Sequence, residues 1–292
     1  MNMAGDNPKV QATAGTYSIG EHLRVLGAIR AEDEPRILAE QRTTGLPFGE
    51  AAVRLGLIDR ARLREALARQ HAFHWPAPAQ SLKPQVFMAL RPNAPEAEAF
   101  RDLRTRLMTP WPSANAQGGA RAIAVVSAER GDGRSFVAAN LAVAFAQANL
   151  RTLLIDLDFR QPCLHDWFRR SRRHGVTGLL IGRSALDELL GKNTHQALSL
   201  IGAGPQPPNP QELLGPGLLG LLMATLRHRF DVIVADTPAW SQASDAQLAA
   251  AQCGQALLVT RPHTATLRAT QSLVDCLKQA GVTMAGALVN RH

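Results

Sequence analysis

The chain has 292 residues, an apolar fraction of 46% and a formal net charge of +8, enough for one large domain and a smaller one with a sizeable core. Lys9, Lys83, Lys192 and Lys278 are its lysines, so arginine carries the charge; the sequence shows no dense basic run of the kind that marks a nucleic-acid footprint, and attraction to acidic partners or to the inner membrane surface is the other reading of the excess. Cys163, Cys253 and Cys276 have no metal or redox spacing and read as reduced thiols, the N-terminus has no apolar segment of a signal peptide, and "LLGPGLLGLLMATL" is too short and too broken to span a membrane.

Residues 1–16 read as a disordered tail. A weak internal repeat follows over residues 17–75. "IGEHLRVLGAI" leads to "ILAEQ", and "FGEAAVRLGLI" leads to "ALARQ", both at an offset of 29 residues. Each copy predicts a short helix, a Leu-Gly turn and a second helix. Gly27 and Gly56 stand where a helix C-terminus needs positive φ, and Asp59 stands as a cap for the helix after Gly56. Two such pairs make a small all-α module. Residues 76–94, beginning near "HWPAPAQSLKP", read as a linker.

From residue 95 to 292 the pattern is α/β. "EAFRDLRTRLM" predicts an amphipathic helix. "AIAVVSA", "TLLIDLD", "LSLIGAG", "DVIVADTP", "ALLVTRP" and "GALVNRH" are near-continuous apolar runs separated by helical stretches. Such strands are buried on both faces, so the expectation is a doubly wound, mostly parallel sheet with its chemistry at the strands' carboxyl ends.

The first strand runs through "SAERGDGRSF" into a good helix, the context of a phosphate loop. Gly131 and Gly133 let successive N–H groups turn toward phosphate oxygens. The helix N-terminus adds its dipole, and Ser135 has the hydroxyl for Mg²⁺. Arg134 stands where such loops carry lysine. It keeps the charge on a larger, planar group. The second strand ends in Asp156 and Asp158, and the fourth in Asp236. Carboxylates at the ends of buried strands are costly unless they meet a cation, and a Mg²⁺–nucleotide beside the loop supplies one.

These residues resemble the bacterial tyrosine kinases of capsule and exopolysaccharide synthesis, and the resemblance covers about residues 95–292. "SAERGDGRS", "LLIDLDFRQP" and "FDVIVADTP" are similar to the family's three nucleotide motifs, and "GAGPQPPNPQELL" to its Pro-Pro-Asn-Pro signature. The nearest subgroup is the exosortase-associated exopolysaccharide kinases. The implied fold is a P-loop NTPase of the septum-site and partition ATPase type. The implied nucleotide contacts are Gly131, Asp132, Gly133, Arg134, Ser135 and Phe136, with Asn290 at the adenine. Mg²⁺ falls to Ser135, Asp158 and Asp236. Asp156 lies nearest the attacking hydroxyl, and Arg134 faces the β- and γ-phosphates. Glu98, Arg101 and Arg104 match an oligomerisation helix.

The resemblance also implies a membrane chain-length determinant protein as partner, and a cytoplasmic location held near the inner membrane through it. The helical module resembles the N-terminal modules of type II secretion and pilus ATPases. Its candidate roles are protein docking, cyclic di-GMP binding around Arg54, Leu55 and Gly56, or a purely structural leader. Two departures stand out: the Arg in the loop, and a single tyrosine, Tyr17, where the family carries a C-terminal tyrosine cluster. The rivals are a non-catalytic ATP-dependent regulator and a partition-type ATPase. The latter carries a lysine near the loop's start, where this chain has Glu129 and Arg130.

Overall fold

The computed structural model describes residues 19–25, 27–60, 62, 63, 66, 82–92, 94–109, 119–191, 197–242 and 244–291. The tail 1–16, Tyr17 and the first part of the expected linker lie outside them. The chain divides into two compact units, residues 1–72 and 73–292.

In the first unit, α1 (Ile19–Val25), α2 (Glu34–Thr44) and α3 (Phe48–Arg54) enclose a small core. The repeat is visible in what is buried. Leu23 and Ala52, Ile29 and Ile58, and Ile37 and Ala66 are buried pairs at the same 29-residue offset. The turns match as well. Gly27 has φ 62° and Gly56 φ 68°. Ala28 N–H donates to the Leu23 carbonyl at 2.9 Å and Leu57 N–H to that of Ala52 at 3.1 Å. These close each helix with a left-handed glycine. The Asp59 carboxylate accepts from Arg62 N–H at 2.6 Å, as a cap should.

The second unit holds α4 (Phe87–Leu90), α5 (Pro95–Met108), β1 (Arg121–Val126), α6 (Arg134–Gln147), β2 (Thr152–Asp156), α7 (Leu164–Trp167), α8 (Val176–Leu180), α9 (Leu186–Gly191), β3 (Leu198–Ile201), α10 (Pro210–Leu214), α11 (Leu218–Arg227), β4 (Val232–Asp236), α12 (Asp245–Cys253), β5 (Gly254–Thr260), α13 (Leu267–Gln279) and β6 (Thr283–Val289). The six strands pair in the order β3-β2-β4-β1-β5-β6, and every pairing is parallel. The doubly wound parallel sheet expected from the apolar runs is therefore present. β2 and β4 are buried throughout, and α6 is buried from Val137 to Ala146 because its alanines pack flat on the sheet.

Two elements differ from expectation. β6 is an edge strand, and most of it is exposed or half-buried, including Val289 at 56% exposure. An apolar run on a sheet edge has a neighbour on one side only. The stretch expected to be linker up to residue 94 joins the core from Leu82 onward. Leu82, Val86, Phe87 and Met88 are buried. The buried Asn140 of α6 pins this stretch, accepting from Met88 N–H at 3.0 Å and donating to the Gln85 carbonyl at 2.8 Å. The prolines mask the apolar spacing of "LKPQVFMAL".

Candidate active site

The parallel sheet brings the carboxyl ends of β1, β2 and β4 together. β1 runs directly into the loop 127–133, and α6 starts at its end. Gly131 has φ 89° and Gly133 φ 100°, and Gly133 is the residue that caps α6. Asp132 is fully buried beneath the loop. One of its oxygens accepts from Glu129 N–H at 3.2 Å, and the other, Oδ1, has no partner among the described residues. Asn290 follows β6 and donates its amide to the Asp132 carbonyl at 3.0 Å, bracing the loop from the end of that strand.

Within the loop, Gly133 is where substitution should hurt more. A Cβ there would lie 2.2 Å from Asn290 Nδ2, whereas one at Gly131 meets nothing within 4 Å. Both positions carry the cost of positive φ, about 1 kcal/mol or more for a residue with a side chain. Gly133→Ala is therefore expected to lower stability and nucleotide affinity clearly more than Gly131→Ala. Thermal unfolding and ATP titration of the two variants check this.

Arg134 turns its guanidinium back into the loop and is only 8% exposed. Its Nε donates to the Thr237 carbonyl at 2.9 Å, and its Nη1 donates to the Glu129 carbonyl at 2.9 Å and to the Ser127 hydroxyl. Thr237 in turn donates its hydroxyl to the Val125 carbonyl at 2.8 Å. The arginine thus ties the phosphate loop to the end of β4. Its Nη2 makes no hydrogen bond among the described residues, so two of its five N–H donors remain for an anion.

Asp156 and Asp236 are register partners on neighbouring strands, and both are fully buried. Burial raises the Asp156 carboxyl well above its ordinary range, and the negative charges of Asp236 and Asp158 add to the rise. Burial likewise lifts Asp236 to about 7, against the opposing pull of the Ser135 hydroxyl and the Arg134 charge. The Ser135 hydroxyl favours the charged carboxylate from nearby, yet among the described residues neither Asp236 oxygen has a hydrogen bond of ordinary geometry, and Asp156 Oδ2 also lacks one. Asp158 is 4% exposed. Its Oδ1 accepts from Arg160 N–H at 3.1 Å and Gln161 N–H at 2.9 Å.

Unsatisfied carboxylate oxygens beside a glycine loop fit a divalent cation that brings its own ligands. Among the described residues no group of three or more His, Cys, Asp or Glu closes on a metal unaided. The hard oxygen donors of Asp156 and Asp236 fit Mg²⁺, which keeps several waters and takes phosphate oxygens. The structure thus gathers Gly131, Asp132, Gly133, Arg134, Ser135, Asp156, Asp158 and Asp236 at one end of the sheet. Phe136 points elsewhere. It stacks on Phe87 with centroids 5.6 Å apart, and both rings line a cavity of about 440 Å³ that Asn290 also lines.

Two site residues escape a reading of the sequence. Cys163 sits among the carboxylates with the Ser135 hydroxyl beside it. Burial, with Asp236 adding, pushes its thiol up to about 12, so it stays protonated. Asp245, the first residue of α12, is 1% exposed and holds Arg160 through bonds of 2.7 and 3.3 Å, fixing the turn that carries Asp158. Neither belongs to a motif, and only tertiary packing brings each to the site.

The fold and this loop define a P-loop nucleotide-binding domain, and the profile of the CobQ/CobB/MinD/ParA nucleotide-binding domain matches residues 123–292. The tyrosine-protein kinase YwqD of Bacillus subtilis is 31% identical over 212 residues, covering 71% of this chain and 88% of that one. EpsB of Ralstonia solanacearum, named as a tyrosine-protein kinase, is 35% identical over 207 residues, which span 70% of this chain and 27% of that longer protein. The kinase domain of the Escherichia coli tyrosine kinase ETK superposes with a TM-score of 0.63 at 31% identity, covering 70% of this chain and 79% of that one. The chain belongs to the bacterial tyrosine-protein kinase family.

Proposed function

We propose that this protein is an ATP- and Mg²⁺-dependent kinase that phosphorylates tyrosine and regulates exopolysaccharide chain length, polymerisation and export. It would act with a membrane chain-length determinant protein whose cytoplasmic tail activates it. The observation that carries the reading is the pair of buried, unsatisfied carboxylates on adjacent strand ends beside the Arg134 loop. When bound, Mg–ATP supplies the transferable phosphoryl group. The chain's own residues do the positioning. Loop N–H groups and Arg134 Nη2 hold phosphate oxygens, and Ser135, Asp158 and Asp236 hold the metal. Asp156 lies nearest the acceptor hydroxyl, as its orienter or its base. Phosphoryl transfer demands mainly such positioning and charge neutralisation.

The aromatic cavity of Phe87, Phe100 and Phe136 beside Asn290 is the proposed seat of the base. No helix among the described residues is long and apolar enough to cross a membrane, which accords with attachment through a partner. The test is purified protein with Mg–ATP and the partner's cytoplasmic tail, assayed for ADP release and phosphotyrosine. ADP release without phosphotyrosine would favour an ATPase, and nucleotide binding with neither product would favour the non-catalytic regulator.

Self-association through α5 is part of the proposal. Arg101 pairs with Glu98 at 2.6 Å and also donates to the Pro92 carbonyl. Arg104 donates to the Ala144 carbonyl at 2.9 Å, so it has a structural task within the subunit. Glu98 is the most exposed of the three, at 66% of its side chain against 30% for Arg101. Glu98→Arg is expected to shift the protein toward monomer with little loss of stability, and an unchanged sedimentation profile would remove α5 from the interface.

The helical module is proposed as a docking element. Arg54, the first candidate for a cyclic dinucleotide, is held by Glu40 at 3.1 Å, so such a ligand must displace a carboxylate.

A further inference from the structure

The arginines are not evenly spread. Residues 169–174 read Arg-Arg-Ser-Arg-Arg-His, and the fold sets this run at the carboxyl ends of β2 and β3. That is the sheet end that also carries the phosphate loop and the aspartates. The run lines a second cavity of about 420 Å³, with Arg169, Arg170 and His174 on its wall and Leu189, Ile201 and Gly202 beneath.

The loop is built rather than loose. Val176 N–H donates to the Gly202 carbonyl at 2.8 Å and Thr177 N–H to that of Ala203 at 3.0 Å. A Cβ on Gly175 would strike the Gly202 carbonyl at 2.2 Å. Arg172 Nε donates to the Gly204 carbonyl at 3.3 Å. Arg169 holds φ 52°, a left-handed conformation uncommon for a residue with a side chain. The nearest acid along the chain, Asp166, is engaged by Lys83. Of the arginines on the pocket wall, Arg169 makes no ion pair with a described residue, so it brings an unneutralised positive charge to the cavity.

We infer that this basic pocket docks an acidic side chain of the polypeptide whose hydroxyl is phosphorylated, and so selects acceptors with a carboxylate near the target residue. The inference rests on the kinase reading and names its substrate class. Proximity supports it. Cys163 lies beside Ser135 at the reaction centre, and Arg169 is six residues further on, a reach of at most about 22 Å for a fully extended chain. Because α7 coils residues 164–167, the reach shortens to at most about 15 Å, which an extended peptide covers in no more than roughly five residues. The pocket is concave, sized for one or two side chains, and has an apolar floor. A nucleic acid would instead call for a basic stripe that follows many phosphates.

The test uses two fluorescent tyrosine peptides that differ only in Glu or Gln four positions on either side of the tyrosine. They are titrated by anisotropy onto the full-length protein with Mg–ADP, and phosphate transfer is followed separately with Mg–ATP. The Glu peptide is expected to bind at least about tenfold tighter and to lose that advantage in high salt. Arg169→Asn with Arg170→Gln should erase the preference. Asn tolerates the left-handed backbone, so the loop should survive, and basal ATP hydrolysis should not change. Where that variant fails to fold, the salt dependence of the wild-type preference decides alone. Equal binding of the two peptides overturns the inference. So does tighter binding of anionic vesicles or an oligonucleotide that displaces the Glu peptide. A clear Glu preference in binding with no phosphotyrosine on either peptide keeps the docking site and sinks the kinase reading.

Discussion

Asp236→Asn is expected to make the nucleotide-free protein more stable at pH 8 and to abolish its stabilisation by Mg–ATP. The carboxyl is fully buried, and among the described residues neither oxygen has a hydrogen bond of ordinary geometry. Burial raises it to about 7 in the folded state. A carboxyl raised on folding stabilises the protein fully below its unfolded value near 3.8, and this contribution is lost as pH rises through the folded value. At pH 8 the wild type therefore holds a buried charge beside the Asp156 carboxyl, its register partner. A neutral amide of the same shape removes that charge. The gain should be about 1–3 kcal/mol, the range for one buried unsatisfied group, or roughly 2–12 °C in a unit of this size. Near pH 5 the wild-type carboxyl is protonated, and the gain should shrink.

The same raised carboxyls make cation binding compete with protons. Mg–ATP affinity should rise as pH passes about 7, with proton uptake by buffer visible when calorimetry is repeated in buffers of different ionisation enthalpy. Equal stabilisation of wild type and Asp236→Asn by Mg–ATP would remove Asp236 from the metal site. A site that is more stable without its functional group is the usual cost of holding charge ready for a ligand.

The sheet and the phosphate loop were legible in the sequence because their signals are local. Five of the apolar runs give strands with buried centres, and the glycines adopt the positive φ that the loop requires. The paired strand ends could be read because a carboxylate after four apolar residues has little other explanation. Three features were not legible. Asp245 reaches Arg160 across 85 residues of sequence, a contact no spacing rule encodes. The stretch from Leu82 was hidden behind prolines, since its anchor is the side chain of Asn140 and not its own periodicity. The basic run 169–174 was diluted by an arginine-rich composition, and only the fold shows that it stands at the sheet's functional end.

Arg134 decides whether the loop works differently from one that carries lysine. Three of its five donors hold Thr237, Glu129 and Ser127 in place, and Nη2 is left with two donors for phosphate oxygens. Arg134→Ala removes both functions. Loss of a charge-assisted contact costs about 1.5–3 kcal/mol, so ATP affinity should fall by roughly tenfold to a hundredfold. The loop, freed from the end of β4, should also lower the unfolding temperature. Arg134→Lys keeps the charge but concentrates three donors on one atom, which cannot bridge the Thr237 carbonyl and the Glu129 carbonyl while also meeting phosphate. Its affinity should lie between those of wild type and Arg134→Ala, with a loop looser than the wild type's. Calorimetric titration of ATP onto the three proteins, paired with thermal unfolding in the absence of nucleotide, separates the two functions. A lysine variant that binds ATP as tightly as wild type yet melts lower would show that the guanidinium serves mainly to clamp the loop. Equal affinities across all three would mean that the side chain seen tied into the loop never turns to the phosphates, and the nucleotide site would then rest on the aspartate strands and the glycine loop alone.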